Sequence, residues 1–235
     1  MSQNYTSFYI ALRYLKGRKS GFLSFISALA FISTSLGVAV LIIVSSVMNG
    51  FEQELKDRVL NVIPHASIYG LNPIDDWETV EINLREDTNI RGISPYIETE
   101  ALIKSKSAVA GVLVNGVIAS KDKSVSVIHE YMQTGNFEKI QTDNNIVLGR
   151  LLARKLNVDV GDKISLMLPD TSSSFAGYFP KSKVFNISGI FNIGSKDIDE
   201  TLAYISLENA SILSGLKNQV HGFRLKFDDL FEAPY

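Results

Sequence analysis

Histidine, cysteine and clustered carboxylates are the side chains best able to bind a metal ion or carry out covalent chemistry. The sequence has three histidines and no cysteine. His65, His129 and His221 are isolated from carboxylates at metal-ligand spacing, so we expect ordinary surface or strand residues. The lack of cysteine excludes thiolate metal sites, disulfides, thiol catalysis and lipid attachment to a cysteine of this chain.

One acidic run could hold a hard cation. Its carboxylates are Asp197, Asp199 and Glu200. We favour an acidic turn at the surface, so no metal site and no catalytic residue are predicted. The sequence has no glycine-rich Lys-Ser/Thr loop for nucleotide phosphates and no nucleophile elbow. The chain is therefore predicted to be no enzyme, to need no cofactor and not to hydrolyse ATP unaided.

The charges are unevenly distributed along the chain. Residues 1–50 contain four basic residues and no acidic ones, whereas all 25 acidic residues follow Gly50. With the other 19 basic residues, the part after Gly50 has a formal net charge of −6. A nucleic-acid partner is not expected, because its binding needs concentrated positive charge.

A long uncharged segment between Gly21 and Gly50 dominates the first part of the chain. Its apolar portion, Phe22–Met48, would extend about 40 Å as a helix, against about 30 Å for the hydrocarbon core of a bilayer. A buried helix of a soluble protein rarely runs this long without a charge. A cleaved signal peptide has a shorter apolar region and a small-residue cleavage site, which Met48–Glu52 does not provide. We therefore predict an uncleaved transmembrane helix over residues 21–50.

The residues before this helix indicate its orientation. Four basic residues precede it directly: Arg13, Lys16, Arg18 and Lys19. Basic flanks favour the cytoplasmic side, so residues 1–20 are predicted to be cytoplasmic. Tyr5–Leu15 is typical of a short amphipathic helix at the membrane surface, with a disordered basic tail as the alternative. Residues 51–235 are then predicted to form a domain that faces the periplasm or the exterior.

The transmembrane segment carries two kinds of helical surface. Small residues, which let helices approach closely in lipid, recur in its first half at Ser27, Ala30, Ser33, Thr34 and Gly37. Bulky apolar residues follow at helical spacing and continue beyond Glu52, at Val40, Val44, Val47, Met48, Phe51 and Leu55. This stripe is either a lipid-facing or helix-packing surface, or one wall of an acyl-chain cavity at the outer leaflet.

The remainder predicts a mixed α+β domain, because strands and short helices alternate without a βαβ rhythm. We predict strands at 65–70, 93–103, 108–118, 163–168, 183–191, 202–206 and 222–227. Helices are expected at 77–87 and 207–213, with a strand end and a helix in 145–157. Asp75 and Asp76 are predicted to cap the first of these helices. Residues 169–180 form a polar, serine-rich excursion with three aromatic residues.

Short motifs spread along the chain carry a family resemblance. They are Ile10–Tyr14, Gly17-Arg18, Ser35–Val40, Val47–Glu52, Ile146–Gly149, Gly161–Ile164 and Phe185–Phe191. Together they resemble the LolC/LolE family of lipoprotein-releasing ABC transporter permeases, and Val47–Glu52 is the most specific part. The resemblance covers essentially the whole chain and implies a transmembrane helix followed by a MacB-like mixed α+β periplasmic domain.

The resemblance implies a membrane subunit that extracts lipoproteins from the outer leaflet of the inner membrane and passes them to a periplasmic chaperone. Further implied partners are a cytoplasmic ATPase subunit, a second permease subunit (a copy or a paralogue) and membrane lipid. In such permeases the first helix helps to line the lipoprotein cavity. The resemblance therefore favours the cavity interpretation of the stripe from Val40 to Leu55.

In the LolC-type member a protruding hairpin, the hook, docks the chaperone. The residues that align with it are Ser173, Ser174, Phe175, Ala176, Gly177, Tyr178, Phe179 and Pro180. Exposed aromatic residues beside a proline are suitable anchors for a partner. Without the resemblance, an ordinary mobile loop would be the prediction.

Family members continue with three more membrane helices, whereas this chain ends at Tyr235, before the closing part of the implied domain. We therefore expect a fragment, or a truncated product, that does not transport alone. Two alternatives stay open. One is a MacB-like efflux or FtsX-like signalling permease, and the other is a single-pass anchored periplasmic binding protein without a transport role.

Overall fold

The computed structural model describes residues 21–55, 66–87, 89–168 and 181–227, with Thr6, Tyr9, Ile10 and Arg13 of the N-terminal segment. These four residues are helical, and the rest of the predicted helix Tyr5–Leu15 lies outside the described residues. The chain divides into two units, Met1–Leu55 and Lys56–Tyr235.

The first unit contains one long helix, α1 (Gly21–Leu55), of 35 residues. No charged residue precedes Glu52 within it, and Gly37 and Gly50 lie inside it without ending it. Its portion Phe25–Glu52 is long and apolar enough to cross a membrane. At about 1.5 Å per residue, α1 measures roughly 52 Å and exceeds a hydrocarbon core of about 30 Å. The predicted apolar helix is present, and it continues past Gly50 as the stripe indicated.

The second unit contains nine strands and several short helices among its described residues. The strands are β1 (Ala66–Ile74), β2 (Ile90–Lys104), β3 (Val109–Val117), β4 (Met132–Gly135), β5 (Asn145–Gly149), β6 (Lys163–Leu168), β7 (Lys181–Phe191), β8 (Leu202–Ser206) and β9 (Val220–Phe227). The α-helices are α2 (Trp77–Leu84), α3 (Ala119–Asp122), α4 (Arg150–Leu156), α5 (Lys196–Thr201) and α6 (Leu207–Ser214). Two 3-10 helices, Ile128–Tyr131 and Phe137–Gln141, lie between α3 and β5.

The nine strands form one sheet in the order β1-β9-β2-β3-β8-β5-β7-β4, with β6 paired to both β2 and β7. The pairs β3–β8 and β5–β7 are parallel. The other pairs are antiparallel. A mixed sheet with short helices confirms the predicted α+β class.

Apolar side chains of the sheet meet the helices in two clusters. The larger cluster combines inward-facing strand residues with Leu152 and Leu156 of α4. These two leucines lie one turn apart, which places both on the same face of the helix. The smaller cluster contains Phe137, Phe191 and Tyr204, and the ring of Tyr204 lies edge-on to the other two at centroid distances of 5.5 and 5.9 Å.

The predicted strands and helices after residue 65 are present, with bounds moved by a few residues. One local prediction, the helix cap, is confirmed in position but not in its side-chain hydrogen bond. Asp76 occupies the N-cap of α2 with φ 44°, but its side chain makes no capping hydrogen bond. Asp75 instead accepts a hydrogen bond from Gln219 at 2.7 Å. No element was predicted for residues 119–144, where α3, both 3-10 helices and β4 lie.

Candidate functional site

Helix α1 places the predicted cavity residues on one side. At about 100° of rotation per residue, they fall within an arc of roughly 100°. This arc, termed the outer face, comprises Val40, Val44, Val47, Met48, Phe51 and Leu55. The small residues from Ser27 to Gly37 fall in an overlapping arc. The prediction of two distinct surfaces is therefore wrong: one face is small in its first half and bulky in its second.

The described side chains of the outer face are exposed. Val44 is 60% and Met48 65% exposed, and Ile42, on the opposite side of α1, is 64% exposed. Exposure alone therefore does not distinguish the outer face from the rest of the helix. The outer face is distinguished only by the helical spacing of its bulky apolar residues. The side chain of Leu55 lies outside the described part of the chain.

The predicted hook, Ser173–Pro180, falls outside the described residues, but the strands on both sides of it are described. β6 and β7 run antiparallel, and Leu168 pairs with Lys181. The chain therefore leaves and re-enters the sheet at adjacent positions. β7 also pairs with β4 and β5, and β6 also pairs with β2, so both strands are held inside the sheet.

An open apolar groove of about 630 Å³ lies beside the end of β6. Outward-facing residues of β2 and β3 line it, among them Leu102, Gly111 and Leu113, with Met167 and Leu168 also in its lining. Leu102 is 51% exposed. A Cβ atom on Gly111 would meet nothing within 4 Å, so the floor is open at this position. The groove is an accessible apolar surface next to the base of the predicted hook.

The predicted acidic surface turn is not present. Residues Lys196–Thr201 form α5, and Asp199 is only 1% exposed. The carboxylate of Asp199 accepts hydrogen bonds from the backbone N–H groups of Ile193 and Gly194, each at 2.9 Å. These amides follow β7 directly, so Asp199 holds the connection between β7 and β8. The prediction failed because a run of charged residues gives no sign of which member turns inward.

The neighbouring carboxylate Glu200 is also used structurally. It pairs with Lys155 at 2.8 Å, and the hydrogen bond from Lys155 lowers the pKa of Glu200. Among the described residues, no three histidine, cysteine or carboxylate side chains are arranged to hold a metal ion.

The described histidines differ in their surroundings, and Nδ1 of His129 is buried without a hydrogen-bond partner among the described residues. The Nδ1 atom of His221 on β9 accepts a hydrogen bond from the backbone amide of Glu98 at 3.2 Å. His129 lies in a 3-10 helix, with its Nε2 atom 3.9 Å from the carboxylate of Glu130. His65 lies outside the described residues.

A buried polar network that the sequence did not indicate surrounds Arg224 on β9. Its Nη2 atom donates a hydrogen bond to Asn115 Oδ1 at 2.5 Å. The same atom lies 3.6 Å from Glu98 Oε2, and Nη1 lies 3.7 Å from Asp122 Oδ1. The guanidinium also lies over the ring of Tyr96, 4.9 Å from its centroid. Arg224 therefore connects β9 with β2, β3 and α3.

Two titratable groups around Arg224 are strongly affected by burial. Burial raises the pKa of Asp122 to about 6, although the nearby Arg224 opposes the increase. Burial also raises the pKa of Tyr204 to about 12. Tyr204 is therefore neutral at physiological pH, whereas Asp122 changes its charge at about pH 6.

A second polar cluster joins α2 to α3. The buried carboxylate of Glu81 accepts hydrogen bonds from Lys121 and from Arg85, the latter at 2.8 Å. Burial raises the pKa of Glu81, but the hydrogen bonds from Lys121 and Arg85 outweigh it, and the pKa lies below its ordinary value. Lys121 also lies 4.9 Å from the ring centroid of Trp77. These contacts explain how the carboxylate of Glu81 can be buried where α2 meets α3.

Comparison with known proteins finds several similar sequences. The chain is 36% identical over 232 residues to the lipoprotein-releasing system transmembrane protein LolC of Neisseria meningitidis. It is 35% identical over 227 residues to LolC of Xylella fastidiosa and 33% identical over 235 residues to LolE of Haemophilus influenzae. These alignments confirm the resemblance to LolC and LolE proteins.

The matches cover the chain and its relatives unequally. The Neisseria alignment covers 96% of this chain and 55% of that protein, so the chain spans about half the length of the curated relatives. Among solved structures, the extracellular domain of the transporter YknZ from Gram-positive bacteria has a TM-score of 0.47 at 9% identity, over 69% of this chain and 74% of that one. The periplasmic region of MacB from Actinobacillus actinomycetemcomitans has a TM-score of 0.43 at 10% identity, over 69% and 67%.

A family profile identifies the domain. The MacB-like periplasmic core domain matches residues 27–229. The match includes most of α1 and all nine strands. With transmembrane relatives and an N-terminal apolar helix, the chain is part of an inner-membrane protein. The chain belongs to the family of proteins with a MacB-like periplasmic core domain.

Proposed function

We propose that this chain is the N-terminal part of a permease subunit of an ABC transporter that extracts lipoproteins from the outer leaflet of the inner membrane and passes them to a periplasmic chaperone. The observation that carries the proposal is 33–36% identity, over nearly the whole chain, to proteins named as transmembrane components of the lipoprotein-releasing system. The uninterrupted apolar helix α1 supports it.

The physical task explains the partners that the proposal requires. Moving a lipid anchor out of a bilayer costs about 0.8 kcal/mol for each buried CH₂ group. Extraction therefore needs an apolar receiving surface and an external source of energy. The outer face of α1 supplies one wall of that surface, and a second permease subunit, a copy or a paralogue, supplies another. A cytoplasmic ATPase subunit supplies the energy, since the sequence has no nucleotide-binding loop.

Photocrosslinking in cells tests the cavity. A photoactivatable amino acid at Val44 or Met48 is expected to crosslink to a mature lipoprotein, because both side chains lie on the outer face. The control is Ile42, which is equally exposed but lies on the opposite side of α1. Lipoprotein crosslinks at Ile42 as strong as those at Val44, or none at Val44 and Met48, would rule out the outer face as a cavity wall.

The proposal also requires a cytoplasmic N-terminus and a periplasmic main domain. The four basic residues before α1 support this orientation. Because the chain has no cysteine, single cysteines report topology without background. A thiol reagent that cannot cross membranes should label Ser67→Cys, at an exposed position of β1, in intact cells. Ser2→Cys should be labelled only after the membrane is opened, and labelling of Ser2→Cys in intact cells would reverse the orientation.

Chaperone docking is assigned to Ser173–Pro180. The support is the aromatic pair Tyr178 and Phe179 beside Pro180, together with the adjacent strand ends at Leu168 and Lys181. Phe179→Ala or Pro180→Ala should reduce binding of a periplasmic lipoprotein chaperone at least tenfold, because interface energy concentrates in such anchors. Val160→Ala, at an exposed position elsewhere in the domain, is the matched control.

The MacB-like domain match would also suit an efflux permease of the same superfamily. The two functions differ in cargo and in the soluble partner. A permease of the efflux type would show neither the lipoprotein crosslink at Val44 nor chaperone binding that depends on Phe179. If both are absent while the protein is stably folded in the membrane, the efflux function replaces lipoprotein release.

A further inference from the structure

A small cavity of about 290 Å³ lies where the end of α2, the start of β2 and helix α3 meet. The charged residues that line it are all cations: Arg85, Arg91 and Lys121. Within the described ranges no acidic residue lines it, and Glu86 and Asp87, which follow Arg85 directly, are not part of the lining. The part of the chain after Gly50 has a formal net charge of −6, so this basic cavity is a local exception.

A single carboxylate holds two of the cations side by side. Glu81 accepts hydrogen bonds from Arg85 at Oε1 and from Lys121 at Oε2. Burial raises the pKa of Glu81 less than these hydrogen bonds lower it, so the carboxylate is ionised at neutral pH. Three cations against one carboxylate leave the cluster with a formal charge of +2. Compensation of Glu81 alone therefore does not account for all the positive charge around the basic cavity.

Arg91 reaches the basic cavity through an irregularity in β2. The pairing of β2 with β9 shifts register between Ile90 and Gly92, and Arg91 is the extra residue. A bulge of this kind re-aims a side chain and is common beside functional sites. A Cβ atom on Gly92 would lie 2.3 Å from the backbone oxygen of Ser124, so glycine allows β2 to run against the turn that follows α3. The backbone of β2 is thus shaped to bring Arg91 next to α3.

The chemistry of the lining suits a phosphate group. Guanidinium groups bind phosphate oxygens through parallel hydrogen bonds, and a lysine ammonium adds a point charge. Arg85 donates Nε and Nη2 to Glu81, and its Nη1 has no partner among the described residues. Ser120, also in the lining, is exposed and adds a hydroxyl group. The volume lies at the lower end of the range for ligand pockets, about 300–1,000 Å³, and therefore suits a small polar group.

We propose that Arg85, Arg91 and Lys121 bind a phosphate group, which belongs either to a phospholipid headgroup or to a small soluble phosphate compound. The chain is part of an inner-membrane protein, so phospholipid headgroups are available to it. The site does not depend on lipoprotein release, and failure of one proposal would leave the other unaffected.

The single tryptophan of the chain gives a direct readout of binding. Lys121 lies 4.9 Å from the ring centroid of Trp77. The 235-residue chain in neutral detergent is titrated with sodium phosphate and, separately, with short-chain phosphatidylglycerol, each compared with sodium chloride at the same ionic strength. Phosphate bound at Lys121 should shift the emission of Trp77 until the site is saturated. It should also raise the midpoint of thermal unfolding, because a ligand of the folded state stabilises it. If neither compound has either effect, the proposal is wrong.

Variants of matched charge locate the site. Arg91→Gln removes one cation from the lining, so the affinity for phosphate should fall at least tenfold. Arg91→Lys keeps the charge without the planar fork and should have an intermediate affinity. Lys123→Gln is the control, because Lys123 directly follows α3 but does not line the basic cavity. Trp77 emission without ligand checks that each variant is folded. Unchanged affinity in Arg91→Gln, or an equal loss in Lys123→Gln, would contradict the proposal.

The two titrations also identify the source of the phosphate. Phosphatidylglycerol that binds at least tenfold more tightly than sodium phosphate, in a manner that depends on Arg91, assigns the site to a phospholipid headgroup. Any smaller difference assigns it to a soluble phosphate.

Discussion

Arg224 and Asp122 face each other inside the domain without a hydrogen bond between them. Nη1 of Arg224 lies 3.7 Å from Oδ1 of Asp122. Neither carboxylate oxygen of Asp122 accepts a hydrogen bond from any residue in the described ranges. The guanidinium is shared with Asn115 and Glu98, so its charge is only partly available to Asp122. Asp122 is therefore a buried acid that is incompletely compensated.

The stability of the domain should depend on pH through Asp122. Its pKa is about 6 in the folded state, against 3.8 as the ordinary value. A raised pKa contributes stability that is fully present below about pH 4 and is lost as the pH rises through about 6. The loss amounts to about 3 kcal/mol at neutral pH. Denaturant unfolding of the chain and of Asp122→Asn between pH 4 and pH 8 measures it.

The difference between the two proteins isolates Asp122 from the other carboxylates. Glu81 and Glu200 have lowered pKa values, so both work in the opposite direction and gain stability with rising pH. Their contributions cancel in the comparison. Parallel stability curves for the chain and Asp122→Asn would show that Asp122 does not titrate in this range.

Arg224→Met should destabilise the domain by about 3–5 kcal/mol, because it leaves a buried carboxylate without its cation. The double variant Arg224→Met/Asp122→Asn should recover part of this loss, since no buried charge then remains unpaired at Asp122. The measurement is the free energy of unfolding in urea for the four proteins of the cycle. Strictly additive losses would contradict a coupling between Arg224 and Asp122.

Two glycines of β3 offer a matched pair for packing. A Cβ atom on Gly116 would lie 2.1 Å from the Cβ of Ala210 on α6, whereas one on Gly111 would meet nothing within 4 Å. Gly116→Ala should therefore cost about 1–3 kcal/mol through overpacking. Gly111→Ala should change stability by less than about 1 kcal/mol. Similar thermal stability of the two variants would show that α6 can move away from β3 freely.

Two lysine–carboxylate pairs differ in burial and should therefore differ in how much they stabilise the domain. Lys121 donates to the buried Glu81, and Lys123 donates to the exposed Glu138. Lys121→Met removes one of the two partners of a buried carboxylate and should cost about 1–3 kcal/mol. Lys123→Met should have a much smaller effect, because water screens its pair. Thermal unfolding of both variants shows which substitution destabilises the domain more. A larger loss of stability for Lys123→Met than for Lys121→Met would contradict the prediction.

The sheet was predictable wherever local pattern decides the structure. The strand Lys163–Leu168 alternates buried and partly exposed side chains, and Leu152 and Leu156 share a helix face. Both patterns follow from the geometry of a single element. In residues 119–144 the elements are only four or five residues long, so no helical or strand period can develop.

The buried polar groups were not predictable, because their partners are distant in sequence. Arg224 lies 109 residues after Asn115 and 102 residues after Asp122 in the sequence, and nothing near Arg224 marks it as buried. Asp199 was misassigned because its partners are backbone amides, which the sequence does not display. The stripe of bulky residues on α1 was recognisable from helical spacing, and its role as a cavity wall stays a prediction for the crosslinking experiment to test.

Helix α1 is continuous through both glycines, and its small and bulky residues share one side. Rotation of this helix about its axis by about 100°, the angle between consecutive residues, would move both halves of that side away from their partners together. A partner packed against Gly37 and a partner packed against Met48 would then lose contact with α1 at the same time. Rotation of α1 would therefore couple the contacts at two depths of the bilayer, and it would need no hinge in the helix.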